Sequence, residues 1–295
     1  MKSAFQSRVY PHWFLLPVAA IFTIFFVVPA AFGLWLAFTN ASTLSTRQDF
    51  IGFDNFALLL VDNRDAFFGS IVNQIIYAIV TTIGKTGIGV ALAFLLNRAF
   101  RGRNFVRAIV YLPIMFSTIV VGIVFNFILA QKGLLNQLLD SIGLTTLTQD
   151  WLGSFDLALY SVAGIDIWMG VGWTVVIVLA AIQAIPGDVI ESAELDGANG
   201  WQLTFRIKIP FIMHAIGLAT LLTFVSGMKA FEIIYATTGG GPGHATEVMT
   251  TFISKALATT NLGYAASASF VQFALICTIA FVINYIVKRL EANQE

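Results

Sequence analysis

Cysteine is nearly missing from the 295-residue sequence: Cys277 stands alone, which excludes an intramolecular disulfide framework and a cysteine-rich metal site. Charge is scarce as well. Only 11% of residues are Asp, Glu, Lys or Arg, against about a quarter in soluble globular domains. The 16 bases balance 16 acids, so no net field argues for nucleic acid as a partner. What fills the chain is apolar: 58% of residues are hydrophobic and the mean hydropathy is +0.83. So few polar groups cannot cover a surface against water, and the composition points to a membrane protein.

A bilayer-crossing helix needs about 20 mostly apolar residues, and six windows meet that length, roughly 13–38, 71–96, 105–130, 157–181, 211–235 and 265–287. They predict an all-α polytopic membrane protein with six transmembrane helices in a single domain over 1–295. Lys2 and Arg8 precede the first window as they would a secretory signal. Its apolar run, however, is about twice a signal's 7–15-residue core. It is read as a retained helix, with Pro17 and Pro29 as kinks that neighbouring helices must tolerate.

Cytoplasmic loops carry the excess of Lys and Arg. One side holds Lys2, Arg8, Arg98, Arg101, Arg103, Arg107, Arg206, Lys208, Lys288 and Arg289; the other holds only Arg47, Arg64, Lys132 and Lys255. Both termini are therefore placed in the cytoplasm. One inner loop departs from the pattern: Asp188, Glu191, Glu194 and Asp196 occur with no base until Arg206, an acidic surface that suits a basic partner.

That loop, 185–210, reads as structured. Asp188 can cap a helix from Val189 with Glu191 in the reciprocal position of a capping box, and Gly197 is a natural stop. Asn199 can cap a second short helix, with Gln202 reciprocal and Pro210 near its end. Ile190, Ala193 and Leu195 would form a small apolar ridge among carboxylates. A helix resting on anionic lipid should be basic on its polar face; this one is acidic, which favours a protein partner.

The run Glu191-Ser192-Ala193, Gly197, then Ile207, Ile209 and Pro210 resembles the EAA motif of permease subunits in ABC importers. Five further stretches resemble the carbohydrate branch: 51–56 (Ile-Gly-Phe-Asp-Asn-Phe), 102–113, 133–136 (Gly-Leu-Leu-Asn), 231–242 and 263–266. The resemblance covers nearly the whole chain, although the outer loops lack the large insertion of the maltose permease and Ser192 stands where the motif usually has Ala. It implies a type I importer (MetI-like) permease fold in the bacterial inner membrane. It also implies that Glu191, Ser192, Ala193, Asp196 and Gly197 couple to a separate ATPase. The implied partners are a second homologous permease, two copies of the ATPase, an extracytoplasmic solute-binding protein and membrane lipid. ATP and magnesium would be bound by the ATPase, with no cofactor in this chain and no catalysis by it.

Ionisable groups inside a membrane are costly and are functional candidates by default. Lys85, near the inner end of the second span, is expected to snorkel to the surface. Asp166 falls near mid-depth, and Lys229 and Glu232 stand at helix spacing i, i+3 where they can pair; Asp166 with Lys229 is the alternative pair. A sugar path needs a few placed polar groups and flat rings. Asn73, Asn126, Asp166, Trp168, Trp173, Lys229, Glu232 and Gln272 have that chemistry, as does Gln74.

Other signals fail on context. Gly84-Lys85-Thr86 resembles the end of a phosphate loop, but Ile79 stands where its first glycine belongs, and the tripeptide lies inside a span. His12, His214 and His244 have no metal-ligand spacing. The main rival is an ion-coupled secondary transporter using Asp166, Lys229 and Glu232 as a relay, against which the acidic, doubly capped inner loop argues.

Overall fold

The computed structural model describes residues 12–45, 47–61 and 63–292. Lys2 and Arg8, and the charge argument resting on them, lie outside the described residues. The described chain is helical, with only isolated bridges such as Thr39 to Phe50. It divides into two compact units, one of Met1–Arg64 with Ile253–Val271 and one of Asp65–Phe252 with Gln272–Glu295.

In the first unit, α1 (Trp13–Leu36) is an apolar helix whose span window has no residue buried within the chain. It loosens into a π turn over Thr23–Val27 between Pro17 and Pro29, where two N–H donors are missing. α2 (Asp54–Leu60) follows. Asn55 is buried there, and its Nδ2 donates to the carbonyls of Ala37 and Thr39, each at 2.9 Å, holding carbonyls just past the end of α1. The first motif of the resemblance thus has a mechanical job.

The second unit is built on α3 (Arg64–Asn97) and α7 (Ala158–Gln183). Their axes approach closely because small residues face each other: a Cβ on Gly89 would stand 2.6 Å from Thr174 Cβ, and one on Gly170 would stand 2.6 Å from Lys85 Cε. Between them in sequence come α4 (Arg103–Tyr111), α5 (Thr118–Ile128) and α6 (Leu134–Ser141). After α7 come α8 (Gly187–Leu195), α9 (Gly200–Phe211), α10 (Met213–Met228), α11 (Glu232–Thr237), α12 (Met249–Ala258) and α13 (Leu262–Ala292), the last two with their residues 253–258 and 262–271 in the first unit.

Among the described residues, four helices are long and apolar enough to cross a membrane: α1, α3, α7 and Leu262–Val287 of α13. The windows at 105–130 and 211–235 do not form straight helices. Arg103–Met115 and Thr118–Ile128 meet at 100°, and Gly200–Phe211 and Met213–Met228 meet at 66°; counting each bent pair once brings the total to six. The first bend follows Pro113, which tightens Leu112–Met115 into a 3-10 turn before Phe116 and Ser117 extend. The second falls at Ile212, two residues after Pro210.

The fifth window also ends early. α10 stops at Met228, Lys229 caps it at φ −112° and Phe231 leaves the helical region, so Lys229 and Glu232 are not on one helix face. Gly227 lies against α3, where a Cβ would stand 2.9 Å from Ala78 Cα. Carbonyls freed by such a break must find donors, since lipid supplies none. Gln74 donates to Gly227 O at 2.8 Å and Gln272 to Met228 O at 2.9 Å, while Asn126 donates to Thr237 O at the end of α11.

Within α6, Asn136 uses its whole amide. It donates to the carbonyls of Gln131 (2.9 Å) and Gln149 (2.8 Å) and accepts from Gln149 N (3.3 Å) and Trp151 Nε1 (2.8 Å). Asn136→Ala is expected to destabilise this segment by about 4 kcal/mol, at roughly 1 kcal/mol for each of the four lost bonds. Hydrogen exchange over 131–151 would then accelerate while the long helices stay protected; unchanged exchange would refute the role.

Candidate functional site

Two features of the second unit carry chemistry. The first is a cavity of about 440 Å³ lined by one stripe of α7 (Asp166, Met169, Gly170, Trp173, Thr174 and Ile177) together with Lys85, the Ile114–Thr118 bend and Thr223 and Ser226 of α10. Its size lies within the range for small-molecule sites. Lys85 Nζ lies 2.9 Å from Asp166 Oδ2, and Tyr77 donates its hydroxyl to the same oxygen at 3.0 Å. The expected snorkelling of Lys85 is therefore wrong. Its side chain is only 5% exposed, because glycine at 170 leaves room for the stem and Asp166 supplies the counter-charge. Neither expected pairing of Lys229 forms: among the described residues no ion pair joins it to Glu232 or to Asp166, and both Lys229 and Glu232 are exposed.

Of the eight residues singled out for a path, the structure brings Asp166 and Trp173 to this cavity. Trp168, two residues on from Asp166, lines other clefts and packs against Phe125 with ring centroids 5.4 Å apart. Asn73 donates to the carbonyls of His244 (3.1 Å) and Glu247 (3.0 Å), and Asn126 and Gln272 are spent on the helix ends described above. These three amides satisfy backbone rather than line the cavity. Sequence reasoning missed Lys85 and Tyr77 as a pair. The signal was present, since residues 77, 81 and 85 share one helical face and Thr81 and Lys85 are buried along it.

The second feature is the 185–210 loop. α8 begins at Gly187 with Pro186 at its N-cap, so Asp188 lies in the first turn and makes no capping bond. The expected first capping box is corrected accordingly: proline already fixes the entry, and the helix starts two residues early. The C-terminus forms as expected. Gly197 takes φ +83°, its N–H donates to Glu194 O (3.1 Å), and Ala198 N donates to Ala193 O (3.0 Å), the paired bonds of a Schellman turn. Asn199 and Gln202 form the second box, each side chain bonding the other's backbone at 2.9 Å. Glu191, Ser192 and Asp196 are exposed. The apolar ridge differs from expectation. Ala193 is buried and Ile190 packs against the core, so Leu195 alone projects, 89% exposed, with Trp201 and Phe205 exposed beyond it in an edge-to-face pair at 4.3 Å.

The chain is 34% identical over 279 residues to the probable ABC transporter permease protein YurN of Bacillus subtilis, covering 93% of this chain and 94% of that one. It is 27% identical to the multiple sugar-binding transport system permease protein MsmF of Streptococcus mutans, covering 94% and 95%. A solved bacterial ABC transporter involved in import of the acidic polysaccharide alginate matches with a TM-score of 0.81 at 26% identity, covering 97% of this chain and 99% of that one. A second structure, the bacterial alginate transporter with a pentasaccharide-bound periplasmic protein, matches at 0.80 and 26%. Residues 85–293 match the model for "Binding-protein-dependent transport system inner membrane component". The chain is thus a multi-pass membrane protein that belongs to the binding-protein-dependent transport system inner membrane components.

Proposed function

We propose that the chain is the permease subunit of an ATP-driven importer for a sugar or related polyol, forming half of the path as a single transmembrane domain in the bacterial inner membrane with both termini cytoplasmic. The observation that carries this reading is the 185–210 knob. A glycine-terminated acidic helix and a boxed second helix present Leu195, Trp201 and Phe205 beside Glu191, Glu194 and Asp196, a rigid apolar and anionic surface suited to a cleft on another protein. That protein is a separate ATPase, which binds the ATP and magnesium; Glu191, Ser192, Asp196 and Gly197 lie at or beside the contact, and Ala193 supports it from below. A second homologous permease completes the path, and an extracytoplasmic solute-binding protein delivers the cargo.

Relatives named for sugars support the substrate class, as does the cavity. Its lysine and aspartate neutralise each other, its remaining polar lining is mainly hydroxyl, and Trp173 supplies an exposed ring for a pyranose face. A neutral hydroxylated cargo fits that lining.

Reconstitution tests the proposal. In liposomes with its ATPase, partner permease and binding protein, the chain should accumulate sugar only when ATP is supplied. Accumulation by the chain alone on an ion gradient would overturn the proposal in favour of a secondary transporter.

A further inference from the structure

Between α3 and α4 the chain turns through Arg98-Ala99-Phe100-Arg101-Gly102, with Gly102 at φ +86°, and then runs through an amphipathic helix. Val106 and Val110 pack inward on the core, and Arg107 pins the corner by donating to Leu96 O at 3.0 Å. The rotation of α4 is thereby fixed. It leaves Phe105 70%, Ile109 52% and Leu112 51% exposed as one apolar stripe at i, i+4, i+7. The 100° bend sets α4 across the axis of α5, whose Ile119, Val120 and Ile123 are likewise exposed and apolar.

We propose that this corner binds the phosphate headgroup of an anionic phospholipid. Arg98, Arg101 and Arg103 are the cationic contacts, and Phe105, Ile109 and Leu112 sit among the acyl chains. Charge complementarity carries the assignment. No Asp or Glu occurs anywhere from Ala66 to Leu139, so the three guanidiniums have no acid nearby in sequence, and among the described residues none of them forms an ion pair. Arg103 also borders a niche of about 280 Å³ formed with Ala99, Phe100, Gly102, Asn104 and Phe105, where arginine and aromatic ring meet as they do at a headgroup–acyl boundary. A soluble polyanion would satisfy the arginines without engaging the stripe; an uncharged lipid would cover the stripe and leave the arginines without a counter-charge. Only an anionic lipid satisfies both. The Lys and Arg distribution puts this corner on the cytoplasmic leaflet, and the site is independent of which cargo is carried.

The test is native mass spectrometry of the full chain released from micelles holding equal phosphatidylglycerol and phosphatidylcholine, beside the triple variant Arg98→Gln, Arg101→Gln, Arg103→Gln. Each arginine at an anionic surface is worth roughly fivefold, so the variant should lose phosphatidylglycerol preference by about 100-fold. Inorganic phosphate added at the same concentration should not compete, which distinguishes a lipid from a free anion. Equal retention of both lipids by the unaltered chain, or undiminished preference in the variant, overturns the proposal. If the triple variant is not recovered in micelles, the exposed Arg101→Gln alone should still lower the preference about fivefold; no change there also overturns it.

Discussion

Gly197→Val should abolish ATP-driven uptake and ATPase recovery in a pull-down while leaving the amount of chain in the membrane unchanged. The glycine has open space around it, so volume is not the obstacle. Conformation is. At φ +83° an L-residue pays about 1–2 kcal/mol, and a β-branched one more, because Cβ crowds the following carbonyl. A valine there would relax toward negative φ, breaking the Ala198 N to Ala193 O bond and swinging Trp201 and Phe205 away from Leu195. About 2 kcal/mol is roughly 30-fold in a docking equilibrium. Gly197→Asn provides the control, since asparagine enters the left-handed region more easily and should keep most of the coupling. ATPase recovery that is unchanged in the valine variant would sink the coupling role of the loop.

Asp166→Ala should cost about 3–5 kcal/mol, since it leaves the Lys85 ammonium buried with no counter-charge. That is a large share of the 5–15 kcal/mol that holds a typical protein together, so loss of transport in this variant alone would not separate a structural role from one in the path. The paired variant Lys85→Met with Asp166→Leu does separate them. Removing both charges together should return the melting midpoint close to that of the parent chain, because replacing a buried ion pair by apolar groups is often neutral. If the cavity is the path, uptake stays lost although stability and complex yield recover. Uptake that returns with stability would show that the pair only ties α3 to α7.

The path residues show where sequence reading stops. Asn73, Asn126 and Gln272 were as plausible for a sugar as Asp166, because an amide in an apolar run reads the same whether its partner is a ligand or a backbone carbonyl. For Gln272 the break at Lys229 decides the matter. Once α10 ends at Met228, carbonyls need donors, and Gln74 and Gln272 stand where those donors are required. Lys85 departs from its expected surface position for a related reason. Distance along a helix gives depth, but not whether a glycine on the facing helix leaves space and a carboxylate answers the charge.

Composition and window length determined by themselves that this is a multi-pass membrane protein of apolar helices, because transfer from water to lipid depends on local sequence. Capping chemistry likewise determined the Gly197 stop and the Asn199–Gln202 box, since both are made within six residues. Only the tertiary structure decided that two spans bend, that Lys85 meets Asp166 across 81 residues of chain, and which polar groups are consumed by backbone. Those outcomes depend on which helices lie side by side, and in a largely apolar chain the periodicity of any one helix does not name its neighbour.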